Sequence, residues 1–114
     1  PKDGPSAGLA LFVAIFSAMI NITVNREVAF TGEIDLNGNV SIIGGIADKL
    51  RGAYMAGVKK VVCPMENKVD VQKIDLEKEG WLREVEVYYV NHIYDELFLN
   101  IVFQQPVISK LRAL

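Results

Sequence analysis

The feature that most constrains this chain is the uncharged segment from Ala7 to Ile20, which is rich in alanine, leucine, phenylalanine and isoleucine. Such a segment predicts a helix buried in a protein core. It is shorter than the roughly 20 apolar residues that a membrane span needs, and no basic region precedes it, which argues against a span or a signal peptide. We therefore expect the fold to be built around this helix.

A glycine-punctuated turn, Pro1-Lys2-Asp3-Gly4-Pro5-Ser6-Ala7-Gly8, leads into the helix. Glycine permits unusual φ values and close backbone approach, and a proline is tolerated in a first helical turn. We expect Ser6 at or near the helix N-terminus, where free N–H groups stabilise negative charge. Two interpretations follow: Ser6 is a nucleophile beside an oxyanion hole, or it is an N-cap.

Strand and helix patterns alternate after this segment. Asn37-Gly38 is typical of a type I′ hairpin turn, whose two central residues both take positive φ. A second helix is expected from Ile46 to Ala56, with Gly57 as its C-cap. The other predicted elements are strands at 28–34, 40–43, 59–63 and 85–90, a polar loop at 65–71, a solvated turn of helix at 73–82 and an amphipathic helix at 92–103. This order indicates an α/β or α+β layer structure, with a mixed sheet, a hairpin and flanking helices.

Composition excludes several classes of function. A chain of 114 residues is one domain at most, and its net charge of −2 provides no field to attract nucleic acid. The single cysteine, Cys63, cannot form an internal disulfide and is predicted to be a buried apolar residue. The single histidine, His92, has no acidic pattern around it, so we expect a surface or helix-start residue.

Three segments resemble the Lon protease family. The first is the serine motif at residues 1–8; the second is Phe30-Thr31-Gly32-Glu33-Ile34; the third is Ile43-Gly44-Gly45-Ile46-Ala47-Asp48-Lys49. Their order and intervals are those of the family pattern, and the resemblance continues through 64–68 to about Phe103. Two residues beside Lys49 in the third motif depart from the family pattern: Ala47 replaces a long polar residue and Asp48 replaces a frequent glutamate.

The resemblance implies a serine-lysine dyad for peptide-bond hydrolysis, with Ser6 as nucleophile, Lys49 as its base and Thr31 as a supporting residue that orients the lysine. A lysine acts as a base only when neutral, which requires a shift of roughly 3 units from its ordinary pKa of about 10.4, supplied by apolar surroundings. Backbone N–H groups near Ser6 are expected to form the oxyanion hole. The expected oxyanion and loop residues are Gly4, Pro5, Ala7, Gly44 and Gly45.

The roles of several charged neighbours stay open. Asp3 either pairs with Lys49 and holds the site inactive, or stabilises the turn and the helix N-terminus. Glu33 and the Glu66-Asn67-Lys68 segment match the family, and they either support subunit contacts or cap turns.

The resemblance also implies a context. Residues 1–105 are expected to be the C-terminal part of a Lon-type proteolytic domain, without the strands and helix that precede the serine motif in the family, and 106–114 a tail. No cofactor or metal is expected in this chain; ATP and Mg²⁺ belong to an AAA+ domain of a longer protein. The expected partners are unfolded or damaged polypeptides, that AAA+ unfoldase and further copies in a hexamer, with neither nucleic acid nor membrane.

The implied location is intracellular, in a bacterial cytoplasm or a mitochondrial matrix. The alternative function is a catalytically silent piece or an assembly module of a Lon-like ring.

Overall fold

The structure, a computed structural model, describes residues 7–95 and 98–100. Its helices are α1 (Gly8–Ile20), α2 (Ile46–Met55) and α3 (Lys68–Gln72), with 3-10 helices at Met65–Asn67 and Gly80–Glu84. Its strands are β1 (Val28–Phe30), β2 (Glu33–Ile34), β3 (Val40–Ser41), β4 (Lys60–Pro64) and β5 (Glu86–Val90). The predicted tail at 106–114 lies outside the described residues.

Strand β4 is the centre of the fold. It pairs in parallel with β1 on one side and with β5 on the other, while β2 and β3 form a separate antiparallel hairpin. An antiparallel bridge between Asn39 and His92 joins the hairpin to the chain just beyond β5, and Val40 N donates a hydrogen bond of 2.7 Å to Asn91 O. Parallel and antiparallel pairing therefore coexist, and the predicted α/β fold class is confirmed.

Successive residues of β4 face opposite sides of the sheet, as the strand period of two requires. Val62 packs on the α1 side with Leu9, whereas Val61 and Cys63 pack on the α2 side with Leu50. The sheet is thus covered by α1 on one face and by α2 on the other. This explains why β4 is apolar from Val61 onwards.

Helix α1 is buried along one face only, so the prediction of a helix buried in the core is correct for that face and wrong for the other. Leu9, Val13 and Ile20 are buried, whereas the apolar side chains of the opposite face are exposed. The exposed fractions are 60% for Leu11, 53% for Ile15 and 77% for Met19. The uniformly apolar sequence carries no periodic signal to indicate which face would be covered. None of the described helices has the length and apolar character needed to cross a membrane.

The strand predicted at 28–34 is two strands, because the chain breaks between Phe30 and Glu33. Gly32, in the break, has a φ of +152°, which residues with a side chain rarely adopt. Residues before the break pair with β4 and residues after it pair with β3. The break therefore moves the chain from the sheet to the hairpin.

The hairpin exists, but its turn is not of type I′. Of the two central residues only Gly38 has a positive φ, +87°. Gly38 N donates to Asp35 O and Asp35 N donates to Asn39 O, the pattern of a type I turn followed by a left-handed glycine. The Asp35 carboxylate accepts hydrogen bonds from the Asn39 side chain and from the N–H groups of Asn39 and Asn37, which lower the pKa of Asp35. Hydrogen bonds to the Asp35 carboxylate therefore stabilise this turn, in which Asn37 does not take the positive φ that a type I′ turn requires.

Two further predictions of local structure need correction. The polar loop expected at 65–71 is a 3-10 helix running into α3, because Asn67 and Val71 are buried and draw the segment onto the sheet. The helix expected to begin at His92 begins later, since His92 is held in the bridge to Asn39; residues 98–100 are helical. The predicted helix at 46–56 is confirmed as α2, with Gly57 beyond it at φ +84°.

Candidate active site

The start of α1 is fastened to the segment that contains Thr31. Leu9 N donates a hydrogen bond of 3.0 Å to Gly32 O. A Cβ atom on Gly8 would lie 3.2 Å from Ile34 N, tighter than nine in ten real Cβ contacts, so a side chain here would press on that backbone. The first turn of the apolar helix and the second Lon-like segment are therefore in direct contact.

Thr31 is buried beside this contact. Its N–H donates to Val62 O on β4 at 3.0 Å, and its side chain is 7% exposed. Within the part of the chain that the structure describes, Thr31 Oγ1 has no hydrogen-bond partner. An unsatisfied buried hydroxyl costs about 1–3 kcal/mol, so a side chain of this kind is expected to have a partner during function.

Lys49 lies in the first turn of α2. Its backbone N–H donates to Gly45 O at 3.1 Å, and Gly45 takes a left-handed φ of +68° that turns the chain into the helix. The side chain is half-buried, with Ile46 and Leu50 buried on the same helix. Its Nζ forms no ion pair with any carboxylate among residues 7–95 and 98–100. Gly44, the other predicted loop residue, is exposed.

The segment before α2 is held by side chains that follow β4. Asn67, which is fully buried, accepts from Ile43 N at 3.1 Å through Oδ1 and donates to Ile43 O at 2.9 Å through Nδ2. Glu66 Oε1 accepts from Ile42 N at 3.2 Å. We call these three contacts the 66–67 clasp. In the sequence this segment stands out only because it matches the family. Its role is not predictable there, because nothing local indicates which backbone Asn67 will bind.

The remaining predicted site residues are not in the described part of the chain. Ser6, Asp3, Gly4 and Pro5 lie before it, so their roles stay predictions. Ala7 is described and is the N-cap position of α1, without a side-chain hydrogen bond to the helix; its carbonyl accepts from Leu11 N at 2.9 Å. The structure thus binds the start of α1 to Gly32, Thr31 to β4, and the segment before Lys49 to the side chains that follow β4.

Residues 1–102 match the family model of the Lon protease C-terminal proteolytic domain. The chain belongs to this family. It is 41% identical over 106 residues to the Lon protease of Syntrophomonas wolfei, covering 93% of this chain and 13% of that protein. It is 42% identical over 106 residues to Lon protease 1 of Myxococcus xanthus, with the same two coverages. It is 45% identical over 96 residues to the Lon protease of Clostridium beijerinckii, covering 84% of this chain and 12% of that protein. The chain thus spans about an eighth of the length of these relatives.

The departures from the Lon pattern lie on the outer side of α2. Asp48 pairs with Arg51 at 3.0 Å, and Arg51 also pairs with Glu79, which raises the pKa of the guanidinium. A hydrogen bond from the Trp81 indole and then the Arg51 contact lower the pKa of Glu79. These contacts tie the charged stretch at 73–82 to α2. Asp48 is therefore an exposed ion-pair partner of Arg51 on the surface of this Lon domain.

The single histidine and the single cysteine of this Lon domain both contribute to its structure. His92 Nδ1 accepts from Tyr94 N at 3.0 Å, so Nε2 is the donor to Asn37 O at 2.7 Å, and the ring covers Gly38 at the hairpin turn. Cys63 is fully buried, and burial raises the pKa of its thiol to about 12. The prediction that Cys63 is a buried apolar residue is confirmed.

Proposed function

We propose that this chain is the proteolytic part of a serine-type endopeptidase in which Ser6 is the nucleophile and Lys49 is its general base. Membership of the Lon family supports the reaction class. The observation that supports the residue assignment is a set of contacts centred on Thr31 and β4: Thr31 binds β4 directly, α1 begins against Gly32, and the segment before Lys49 is held by a side chain that follows β4.

In this mechanism the Ser6 hydroxyl attacks the carbonyl carbon of the scissile bond as neutral Lys49 takes its proton. The tetrahedral oxyanion is stabilised by backbone N–H groups around Ser6 and the start of α1, including those of Gly4 and Ala7 in the predicted loop, where Pro5 has no N–H to donate. Lys49 then gives the proton to the leaving amine, and an acyl-enzyme forms on Ser6. A water molecule, deprotonated by Lys49, hydrolyses this ester and restores the serine.

Thr31 supports this cycle as a positioning residue. Its buried hydroxyl, which has no partner among the described residues, is suited to accept a hydrogen bond from Lys49 Nζ or to donate one to the neutral amine. The Lys49 side chain is half-buried and forms no ion pair with a carboxylate in the described part of the chain. Asp3 is a supporting residue that either pairs with Lys49 or stabilises the turn before α1.

The wider context is part of the proposal, because the chain spans so little of its relatives' length. The substrates are unfolded or damaged polypeptides, delivered by an AAA+ domain of the same protein that uses ATP and Mg²⁺, in a homo-hexamer. No step of the hydrolysis described above passes through ATP. The proposed location is a bacterial cytoplasm or a mitochondrial matrix, and the proposed domain limits are 1–105.

The test is hydrolysis of a fluorogenic peptide by the protein of full length. Lys49→Ala and Ser6→Ala are each expected to lower kcat by at least about 100-fold with folding retained, since loss of a general base costs about 10²–10⁴. Lys73→Ala, which removes an exposed lysine, is the matched control and should change kcat by less than about twofold. Full turnover by Lys49→Ala would remove Lys49 as the base and favour an assembly role for this part of the chain.

A further inference from the structure

The segment that joins β3 to α2 has no regular structure of its own. Strand β3 ends at Ser41 and α2 begins at Ile46, so the backbone groups in between need partners from elsewhere. The 66–67 clasp provides them for Ile42 and Ile43. The position of α2, and of Lys49 in its first turn, therefore depends on side chains that are about two dozen residues later in the sequence.

Asn67 is the central member of the clasp. Its side-chain amide binds both backbone groups of Ile43, as a neighbouring strand would, and its second Nδ2 hydrogen goes to Asp70 Oδ2 at 3.1 Å. The two acceptors fix which end of the amide carries the nitrogen. Because Asn67 is fully buried, water cannot replace these hydrogen bonds if the side chain is lost.

The clasp connects Lys49 to the strand that holds Thr31. Asn67 follows directly from β4 through Pro64, and the carbonyl of Val62 on β4 accepts the Thr31 N–H at 3.0 Å. Between the clasp and Lys49 the chain has little freedom, since Ile43 and Ile46 are buried and Lys49 N bonds to Gly45 O. One short stretch of the chain, 62–67, thus contacts both Thr31 and the segment before Lys49.

We propose that Asn67 is a positioning residue of the dyad: it holds the backbone before α2 and so fixes where Lys49 stands. This inference rests on the proposed function. Asn67 touches no reacting atom and acts only through Ile43. Misplacement of a general base by about 1 Å is enough to lower the rate about 100-fold, so a small shift of α2 has a large effect.

The experiment compares Asn67→Ala with Val71→Ala in the protein of full length. Val71 is buried on α3, in the apolar cluster that also contains Ile43, but it takes no part in the clasp. Its truncation to alanine therefore controls for lost stability. For Asn67→Ala we expect kcat to fall about 10- to 100-fold with KM within about twofold, since a base acts in the transition state alone. For Val71→Ala, at a comparable loss of Tm, both constants should stay within about twofold.

Two readouts separate positioning from simple structural support. The pH dependence of kcat/KM should shift for Asn67→Ala and not for Val71→Ala, because only the former changes the surroundings of the base. Amide hydrogen exchange in a peptide covering 40–46 should quicken for Asn67→Ala alone. If Asn67→Ala does not fold, Glu66→Ala serves instead: it removes the exposed side chain that accepts from Ile42 N at 3.2 Å, and should give a smaller loss of kcat with a shift of the pH profile.

The inference would be overturned if kcat fell equally in Asn67→Ala and Val71→Ala, in proportion to the loss of Tm. An unchanged pH profile in the clasp variant would also overturn it. Ser6→Ala and Lys49→Ala in the same assay identify which proposal has failed. If both are inactive while Asn67→Ala behaves like Val71→Ala, the positioning role alone is wrong. If Lys49→Ala is fully active, the dyad is wrong and the positioning role is lost with it.

Discussion

Thr31 is the residue at which stability and function make opposite demands. Its hydroxyl is buried and has no hydrogen-bond partner in the described part of the chain, an arrangement that costs free energy and that a valine would relieve. A threonine kept in such a place is explained if the hydroxyl contacts Lys49 during the reaction. The two explanations, structural and functional, predict different results for one substitution.

Thr31→Val is expected to leave the free energy of unfolding unchanged or to raise it by about 1 kcal/mol, because an unsatisfied polar group is replaced by a methyl group. The same variant should lower kcat by about 10-fold if the hydroxyl orients the base. Thermal unfolding and peptide hydrolysis measure the two effects. Thr23→Val, at an exposed threonine, is the control and should change neither. Undiminished kcat in Thr31→Val would leave the hydroxyl without a catalytic part.

Sequence motifs name candidate residues and their chemistry, but they do not reveal a side chain that acts through a distant contact. The motifs predict roles for Thr31 and Lys49, and these roles stay predictions. Asn67 was noticed in a matching segment, but its contact with Ile43 spans 24 positions of sequence and depends on how β4 ends. Such a contact follows from the packed fold and leaves no periodic or compositional signal.

At the scale of elements, the break between β1 and β2 decides the geometry. Gly32 has a φ of +152°, and a Cβ there would lie 3.0 Å from Val40 Cγ1 and 3.4 Å from Pro64 Cγ. The backbone needs this conformation to leave β4 and enter the hairpin, and the space around it has already been taken by neighbouring side chains. Glycine at this position answers both requirements.

Gly32→Ala is expected to lower the free energy of unfolding by about 3 kcal/mol, from backbone strain together with the clash. Gly57→Ala is the matched control: Gly57 also has a positive φ, +84°, but a Cβ there would meet nothing within 4 Å, so strain alone should cost about 1 kcal/mol. Urea unfolding followed by the fluorescence of Trp81, the single tryptophan, measures both. Equal losses in the two variants would mean that crowding around Gly32 has no part in the effect.

Elements with strong local signals could be predicted, and those that depend on distant partners could not. The Asn37-Gly38 dipeptide correctly indicated a hairpin, but Asp35 changed the turn type through its own hydrogen bonds. The polar sequence at 65–71 indicated a loop, yet burial of Asn67 and Val71 makes it helical. In both cases a side-chain contact overrode the local preference of the backbone.

At the scale of the whole molecule, the exposed face of α1 is the least balanced part of the surface. Leu11, Ile15 and Met19 recur at four-residue spacing and are all more than half exposed. Neighbouring apolar side chains at this spacing form one stripe, and an exposed apolar patch promotes association in water. The described residues leave this stripe in contact with solvent.

The isolated chain is therefore expected to self-associate through α1. A triple variant, Leu11→Gln, Ile15→Lys and Met19→Gln, should shift it toward monomer in sedimentation velocity while changing Tm by less than about 5 °C, because exposed positions contribute little to stability. Val13→Lys, on the buried face of the same helix, should instead prevent folding. Unaltered sedimentation of the triple variant would show that association, if present, uses another surface.

The central position of β4 also has a consequence for how the chain is made. α1 and β1 leave the ribosome well before β4, with which β1 pairs in the register Val28–Lys60. At a synthesis rate of about 5–20 residues per second, the apolar helix waits a few seconds for the strand that covers its inner face. During that interval both faces of α1 are open to solvent. We expect chaperones to bind α1 during this interval, before β4 and the later core residues cover its inner face.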